Sequence, residues 1–349
     1  MGIKGLKQFL KSKFPQCIHS DHLYHHWGEK AIMDLLPYLY RYKVSHGDKW
    51  LEGLFTLLTT FIKHNVHLTV IMDGPMVYKE KEKERAKRKQ GRDRIKTKLD
   101  QLEFDLRQYD ESGVISELLY NVSEDSSHRN LLLSNHKTIR RDIILETIQK
   151  LKNQMVSITP EDISIVQELC SSLSLNFLFA RQEAESFASY LCANGFADIV
   201  ITEDTDVLPY GCPRWLSTIA HDGSCMSIHL QEVLSTMKFT HDQFIDFCIL
   251  CGTDYNETIK GVGPVSSYSL LSSHSLEKVN HDTSILNYTV VRDIFKRPCQ
   301  QAIISPLRIE PYSVTIPFNP LPIESRIHYP FSSSFKKWIR SYEHQFILD

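Results

Sequence analysis

The sequence predicts an α/β protein with a central, mostly parallel sheet flanked by helices. Four short apolar runs indicate this sheet, at residues 30–33, 68–72, 175–179 and 197–201. Runs of this kind are typical of strands buried on both faces of a parallel sheet. Acidic residues follow each run, and the carboxyl ends of parallel strands meet at one edge of such a sheet.

Residues 1–78 are predicted to form the N-terminal part of this sheet. A short amphipathic helix is expected over 3–10, and a second helix near 38–43 follows the strand that ends at Asp34. A third helix over 50–64 precedes the strand that ends at Asp73. This alternation of helix and strand is the rhythm of βαβ units, which build parallel sheets.

Residues 79–158 are predicted to be a helical insertion between two strands of the sheet. The insertion opens on a basic run, because residues 79–98 hold eleven Lys or Arg and four Asp or Glu, a local charge of +7. The whole chain carries −2, so the remaining residues carry −9. A basic segment beside an acidic, metal-binding edge is what a phosphodiester substrate would require.

Residues 159–274 resume the α/β pattern, and residues 275–349 are predicted to wrap over the core. Thr159 and Pro160 have the types expected at the N-cap and first position of a helix. A helix over 240–250 should end at Gly252, and a glycine turn over 261–263 precedes another helix. Seven of the fourteen prolines fall within 298–330, which favours an extended segment, and 335–346 could form a closing helix.

Composition is that of an ordinary folded protein, with 42% hydrophobic and 23% charged residues in 349. No apolar stretch is long enough to span a bilayer, and the N-terminus lacks a secretory h-region, so we expect an intracellular protein without membrane contact. The eight cysteines are scattered, which argues against a disulfide framework. Cys248 and Cys251 are predicted to be buried thiols on a helix, in preference to a metal or redox pair.

The acids that follow the strands are the main functional prediction. Two pairs, Glu183 with Glu185 and Asp204 with Asp206, are spaced i, i+2, which places neither pair on one face of a helix. They must therefore lie on a loop or a first helical turn just after a strand. Each acid alone could equally be an N-cap or a partner of a helix dipole. Together they predict a shared site for Mg²⁺ or Mn²⁺, because the carboxylates could not all stay ionised and unpaired.

The motifs resemble those of the flap endonuclease family, which includes the xeroderma-type excision-repair nucleases and the eukaryotic 5′ exonucleases. The resemblance rests on five ordered features: the N-terminal Met1-Gly-Ile-Lys-Gly-Leu6, Asp34 with Tyr40, Asp73-Gly-Pro75, the two acidic pairs, and Gly252-Thr-Asp-Tyr255 with Ile259-Lys-Gly-Val-Gly-Pro264. It covers residues 1–90 and 160–275. It implies the core fold of that family (PIN-like), in which 79–158 is the gateway and arch and 159–274 contains a helix–two-turn–helix.

The resemblance also implies two Mg²⁺ ions, with Mn²⁺ as a substitute. The first four ligands would serve mainly one ion and the last three the other. The seven implied ligands are Asp34, Asp73, Glu183, Glu185, Asp204, Asp206 and Asp254. Two such ions can clamp a phosphodiester and activate water for its hydrolysis.

Further implied residues would contact DNA. Lys79 and Arg85 would touch the scissile phosphate from the gateway helix, with Lys81 and Arg88 as competing candidates because the spacing from Asp73 is short. Gly2 would lie near the metal site, and Tyr40 would stack on a base. Backbone groups at Gly252, Gly261 and Gly263 would meet a duplex phosphate, with K⁺ as a possible companion at the helix–two-turn–helix.

These expectations define a Mg²⁺-dependent, structure-specific 5′ nuclease that cuts flapped or branched DNA in replication, repair or recombination. A 5′–3′ exonuclease, a junction or bubble endonuclease, RNA as the substrate, and a catalytically silent nucleic-acid-binding scaffold remain alternatives. Val265 and Ser266 replace the basic residues usual after the glycine turn. No sliding-clamp motif is present at the C-terminus, and a monomer is expected. This divergent form is similar to copies from large DNA viruses, which would act in the host nucleus or cytoplasm; a cellular copy would be nuclear.

Overall fold

The computed structural model describes residues 2–123, 139–279 and 283–296, together with 327, 329, 331–337 and 339–340. The chain divides into two compact units. The first comprises Met1–Lys81 and Ile158–Asp349, and the second comprises Glu82–Ser157. The predicted proline-rich segment over 298–330 lies almost wholly outside the described residues. Of the predicted closing helix, 335–337 and 339–340 are described and helical.

The first unit is built on a seven-stranded sheet in the order β1-β7-β6-β5-β2-β3-β4. The strands are β1 His19–His22, β2 Lys30–Asp34, β3 His67–Met72, β4 Asn176–Phe179, β5 Ile199–Ile201, β6 Arg214–Ser217 and β7 Ser224–His229. Neighbouring strands from β6 to β4 run parallel, whereas β7 pairs antiparallel with both β6 and β1. The predicted fold class, a mostly parallel sheet flanked by helices, is confirmed.

Helices of the first unit cover both faces of this sheet. They are α1 Leu6–Lys13, α2 Leu36–His46, α3 Trp50–Lys63, α7 Pro160–Ser172, α8 Ala184–Ala193, α9 Leu230–Met237, α10 His241–Cys251, α11 Pro264–Ser273 and α12 Tyr288–Lys296. The second unit contributes α4 Glu82–Ser112, α5 Glu117–Ser123 and α6 Arg141–Gln154. No helix in the described part of the chain is both long and apolar enough to cross a membrane.

Alternating side chains of the central strands feed two separate cores. On β2, Ala31 and Met33 pack into a cluster with Leu58 of α3, while Ile32 packs into the cluster that contains Ala188 of α8. Each fully buried aliphatic side chain of this kind contributes about 1.5–3 kcal/mol to folding. Because both faces are covered, the central strands hold the residues after their carboxyl ends in fixed positions.

One strand and one helix differ from what the sequence predicts. The run over 175–179 is not buried on both faces: β4 is the last strand of the order, and Phe179 is 50% exposed. An edge strand lacks a neighbour on one side, so its apolar residues remain partly in water. The first helix begins at Leu6 instead of residue 3, because Gly5 adopts a left-handed conformation (φ 70°) that cannot continue a helix.

The second unit has a small core of its own. Leu102 of α4, Leu119 of α5 and Ile144 of α6 are among the buried residues that join its three helices. Asp105 links α4 to the start of α5, because Gln101 Nε2 and Ser116 Oγ donate hydrogen bonds to its carboxylate at 2.7 and 2.5 Å. The N-terminal half of α4, in contrast, buries no residue before Leu99 and carries the basic run on its surface.

Candidate metal centre

Asp34 and Asp73 stand at the carboxyl ends of the adjacent strands β2 and β3. Asp34 is the last residue of β2 and is buried; its Oδ2 accepts a hydrogen bond from Thr202 Oγ1 at 2.8 Å. Asp73 follows β3 directly, and its Oδ1 accepts the backbone N–H of Ala184 at 2.9 Å. The parallel register of β2 and β3 therefore brings these two carboxylates to the same edge of the sheet.

Glu183 and Glu185 flank the first residue of α8, as their i, i+2 spacing requires. Glu183 is the N-cap residue and Glu185 lies in the first turn, and both are buried. Oxygens of Asp73, Glu183 and Glu185 all lie within 4.8 Å of one another, so these three residues could hold a metal ion. Carboxylate oxygens are the donors preferred by hard divalent cations.

Asp204 and Asp206 occupy a short 3₁₀ turn just after β5. Asp204 Oδ1 accepts the backbone N–H of Asp206 at 2.9 Å, so it caps the turn. Asp206 is only 1% exposed, and its Oδ1 has no hydrogen-bond partner. Such buried acceptors are rarely left unsatisfied, and an unfilled one is a reason to look for a bound ion. Asp254 lies three residues after α10, beyond the break at Gly252.

Burial and mutual repulsion act on most of these carboxyl groups together. Burial is the largest cause of the raised pKa in each case, and neighbouring carboxylates raise it further. The pKa is raised for Asp34, Asp73, Glu185, Asp204 and Asp206. This arrangement destabilises the ionised forms of the carboxyl groups, and a bound cation would offset their mutual repulsion.

Lys81 supplies a positive charge inside this group of acids. Its ammonium forms an ion pair with Glu183, and it lies 3.8 Å from Glu185 Oε1 and 3.9 Å from Asp254 Oδ2. Burial alone would lower the pKa of Lys81, but the surrounding carboxylates, Glu185 foremost, raise it above its ordinary value of 10.5. The sequence offers Lys81 only as a competing candidate for contact with the scissile phosphate, because the spacing from Asp73 is short. Its position among the acids is a finding of the structure.

Glu203 shows that position at a strand end does not by itself place an acid in the cluster. It precedes Asp204, yet its Oε2 is 3.3 Å from Lys7 Nζ and its Oε1 accepts the backbone N–H of Thr218 at 2.7 Å. Arg41 Nη1 lies 3.9 Å from the same carboxylate. Glu203 is therefore neutralised by surface cations, in contrast to its buried neighbours.

The N-terminal segment lies directly against the turn that carries Asp204. A Cβ atom at Gly2 would lie 2.1 Å from Asp204 Oδ1 and 2.8 Å from Asp206 Oδ1. Ile3 N–H donates to Thr205 Oγ1 at 2.7 Å, and Lys4 N–H donates to the carbonyl of Gly252 at 3.0 Å. The segment thus ties the 204–206 turn to the end of α10.

The other predicted contact residues lie on several elements and differ in exposure. Tyr40 lies on α2 and is 36% exposed. Lys79 is exposed on the short 3₁₀ turn that contains Lys81, and Arg85 is exposed on α4 of the second unit. Gly261 (φ 81°) is exposed, and both it and Gly263, the N-cap of α11, have open space at the Cβ position; the carbonyl of Gly263 accepts the N–H of Ser267 at 2.8 Å.

Cys248 and Cys251 are both buried on α10 as free thiols, in agreement with the sequence prediction. Burial raises the pKa of the Cys248 thiol well above its ordinary value and that of Cys251 to about 12. Neither thiol is therefore prepared to form the thiolate that metal binding or redox chemistry requires.

Comparison with known proteins identifies relatives of this chain. The family model described as the XPG I-region matches residues 174–254. Probable RAD2-like endonuclease 076L of Invertebrate iridescent virus 3 is 33% identical over 330 residues, which cover 85% of this chain and 85% of that protein. Flap endonuclease 1 of Theileria parva is 28% identical over 80% of this chain and 52% of that protein, so this chain spans about half the length of that relative.

Two solved structures share the fold. The flap endonuclease-1 from Methanococcus jannaschii superposes with a TM-score of 0.60 and 20% identity, over 96% of this chain and 98% of that chain. The catalytic core of Rad2 in complex with DNA substrate gives a TM-score of 0.55 and 16% identity, over 99% of this chain and 95% of that chain. At these identities the likeness establishes the fold alone.

Proposed function

Because this chain belongs to the family of RAD2-like and flap endonucleases, we propose that it is a structure-specific 5′ nuclease that hydrolyses flapped or branched DNA. The family predicted from the motifs, with its viral members, is confirmed by the relative from the iridescent virus. Members of this family are nucleases, so the enzyme class follows from membership. The choice of a branched DNA substrate is the proposal.

The observation that carries the proposal is the convergence of buried carboxylates at the carboxyl edge of the sheet. The donor set fits divalent cations, because it consists of carboxylate oxygens, and Asp206 Oδ1 is buried without a partner. We assign Asp34, Asp73, Glu183 and Glu185 to one Mg²⁺ and Asp204, Asp206 and Asp254 to a second, with Mn²⁺ as a substitute. The bound ions would supply Lewis acidity for phosphodiester hydrolysis.

Residues outside the acidic cluster would bind and orient the DNA. The basic run of α4, which includes Arg85, would attract the phosphate backbone without regard to sequence. Tyr40 has an accessible ring on α2 that would stack on a base beside the scissile phosphate. Lys79, exposed on the short 3₁₀ turn that contains Lys81, stays a prediction for contact with that phosphate.

The turn before α11 is proposed as the contact for duplex DNA. Gly261 and Gly263 have open space at the Cβ position, so a phosphate could approach the turn closely, and Pro264 begins a helix whose N-terminus favours an anion. A duplex phosphate bridged by K⁺ would suit these groups. Gly252, the C-cap of α10, stays a prediction for contact with the same duplex. Monomeric state and location within the cell stay predictions.

A cleavage assay tests the proposal directly. Labelled flap, gapped, four-way-junction and single-stranded DNA would be incubated with the full chain in Mg²⁺ or in excess chelator. We expect Mg²⁺-dependent incision of the flap near its junction, and loss of at least about 10³-fold in rate for Asp204→Asn. Binding of flap DNA, measured in Ca²⁺ by fluorescence anisotropy, should persist in that variant.

Glu203→Gln is the matched control, since it removes one negative charge from the adjacent residue without touching the cluster. It should cleave within a few-fold of the unchanged protein. Full activity of Asp204→Asn would contradict the metal assignment. Cleavage of single strands or junctions in preference to flaps would favour the exonuclease or junction-nuclease alternative, and binding without any cleavage would favour the silent scaffold.

A further inference from the structure

Lys81 occupies an enclosed position between acids that come from different elements. Glu183 and Glu185 belong to the start of α8, whereas Asp254 follows α10. Lys81 Nζ pairs with Glu183, lies within 4 Å of the other two carboxylates, and its side chain is only 13% exposed. A lysine that only decorated the surface would not be buried among three carboxylates.

The aromatic ring of Tyr255 contacts the Lys81 ammonium and limits its position. Lys81 Nζ lies 5.0 Å from the centre of the Tyr255 ring, within the range of a cation–π interaction. The ring cannot move easily, because Tyr255 is buried and its hydroxyl is 2.6 Å from that of Tyr210. Tyr78 packs against the same ring edge to face, at 5.6 Å. The position of Lys81 is therefore defined by the packing of its surroundings as well as by charge.

The acids that Lys81 contacts are also candidate ligands. Glu183 and Glu185 are two of the three residues whose oxygens are close enough together to share a metal ion. A divalent cation bound there would stand next to the Lys81 ammonium and repel it strongly in this desolvated place. The ammonium and the divalent cation therefore compete for the same carboxylates.

We infer that Lys81 is an internal counter-cation of the metal site, which holds the carboxylates together in the metal-free protein and is displaced when a divalent cation enters. The inference rests on the proposed function, since it concerns the regulation of the same site. No covalent bond of the protein changes in this exchange: the ion pair between Lys81 and Glu183 is replaced by coordination of the carboxylates to the divalent cation, so one positive group leaves as another arrives. The lysine stays protonated throughout and would be released toward solvent, next to the first residue of α4.

Metal binding to the full chain without DNA measures the competition. Mn²⁺ would be titrated calorimetrically into the unchanged protein and into Lys81→Met. We expect the variant to bind Mn²⁺ about tenfold more tightly, equivalent to about 1.4 kcal/mol. Lys7→Met is the matched control, because it also removes one lysine that pairs with a glutamate. The partner of Lys7 is Glu203, which is not a proposed metal ligand, so Mn²⁺ affinity should stay unchanged.

Chemical labelling of the unchanged protein gives a second, independent measurement. Lys81 should react slowly with an amine-acetylating reagent in chelator and several-fold faster in Mn²⁺, as quantified by peptide mass spectrometry. Lys7 should show no such change. This measurement needs no variant, so a folding defect in Lys81→Met would leave the inference open to refutation.

The outcomes separate this inference from the proposed function. If the unchanged protein cleaves DNA and binds Mn²⁺, but Lys81→Met binds no more tightly and Lys81 labelling ignores Mn²⁺, the counter-cation role is wrong and the nuclease stands. If Lys81→Met binds Mn²⁺ more weakly, Lys81 supports the site instead of competing for it, which also overturns the inference. If the unchanged protein neither binds Mn²⁺ nor cleaves DNA, both proposals fail.

Discussion

Replacing Asp206 with Asn should stabilise the metal-free protein and destroy its response to metal. Asp206 is 1% exposed and its Oδ1 has no partner. Burial raises its pKa well above the ordinary value of 3.8, and the charge of Asp204 raises it further. The carboxylate therefore works against folding when no cation is bound. Asn has nearly the same shape and carries no charge.

The size of the effect follows from the unsatisfied group. Leaving a buried acceptor without a partner costs about 1–3 kcal/mol, and more when the group is charged. Asn keeps part of that penalty but removes the charge, so we expect a gain of about 1–2 kcal/mol. For a protein of 349 residues the gain corresponds to a rise in Tm of roughly 1–3 °C.

Divalent cations should reverse the order of stability. A ligand present at a hundred times its Kd stabilises the folded state by about 2.7 kcal/mol. The unchanged protein should gain this stabilisation in Mg²⁺ or Mn²⁺, whereas Asp206→Asn has lost a ligand and should gain much less. Thermal unfolding followed by circular dichroism, first in chelator and then at rising Mg²⁺, measures both arms.

The stability difference between Asp206→Asn and the unchanged protein also depends on pH. A carboxyl group whose pKa is raised by folding contributes stability that is complete below its unfolded value, 3.8, and is lost as pH rises through the folded-state pKa. The advantage of Asp206→Asn in chelator should therefore shrink as pH falls toward about 4. A variant less stable than the unchanged protein at neutral pH in chelator, or equally stabilised by Mg²⁺, would refute the reasoning.

Two further substitutions test how the chain holds this site and its frame. Gly2→Ala should lower the cleavage rate at least tenfold without changing the fold, because its Cβ would lie 2.1 Å from Asp204 Oδ1. Gly28→Ala is the control for backbone strain, since Gly28 has a similar φ of 76° but open space around the Cβ position. Equal cleavage rates for the two variants would contradict the proposed clash. Arg292→Met should lower the free energy of unfolding in urea by about 2–3 kcal/mol, because Arg292 Nε and Nη2 donate hydrogen bonds to the buried Asp246 at 2.5 and 2.6 Å. Adding Asp246→Asn should restore part of this stability. A loss below about 1 kcal/mol would show that the ion pair is not needed for stability.

Local rules of the sequence predicted much of what positions the site. Thr159 caps α7 through a reciprocal pair of hydrogen bonds with Asp162, and Pro160 takes the first helical position, as their residue types require. The i, i+2 acids sit on first turns and caps, because no other local geometry lets both members converge. These predictions depended only on contacts a few residues apart along the chain.

Long-range pairing could not be predicted in the same way. β1 consists of His-Ser-Asp-His and β6 of Arg-Trp-Leu-Ser, too short and polar to show a strand pattern, and both are defined by their neighbours in the sheet. The position of Lys81 among the acids could not be predicted, for the same reason. Lysine and glutamate alternate through 79–84, so only the acids brought from α8 and α10 distinguish one lysine from the other.

The capping role of Asp73 and Asp204 and their proposed role as metal ligands are compatible. Asp73 accepts the N–H of Ala184 at the start of α8, and Asp204 accepts the N–H of Asp206, so both perform the capping role that a solitary acid after a strand would have. A carboxylate has two oxygens and about four lone-pair sites, so one capping bond does not exhaust it. The capping bond fixes the direction of each side chain. Capping is therefore compatible with the role of metal ligand that is proposed for these carboxylates.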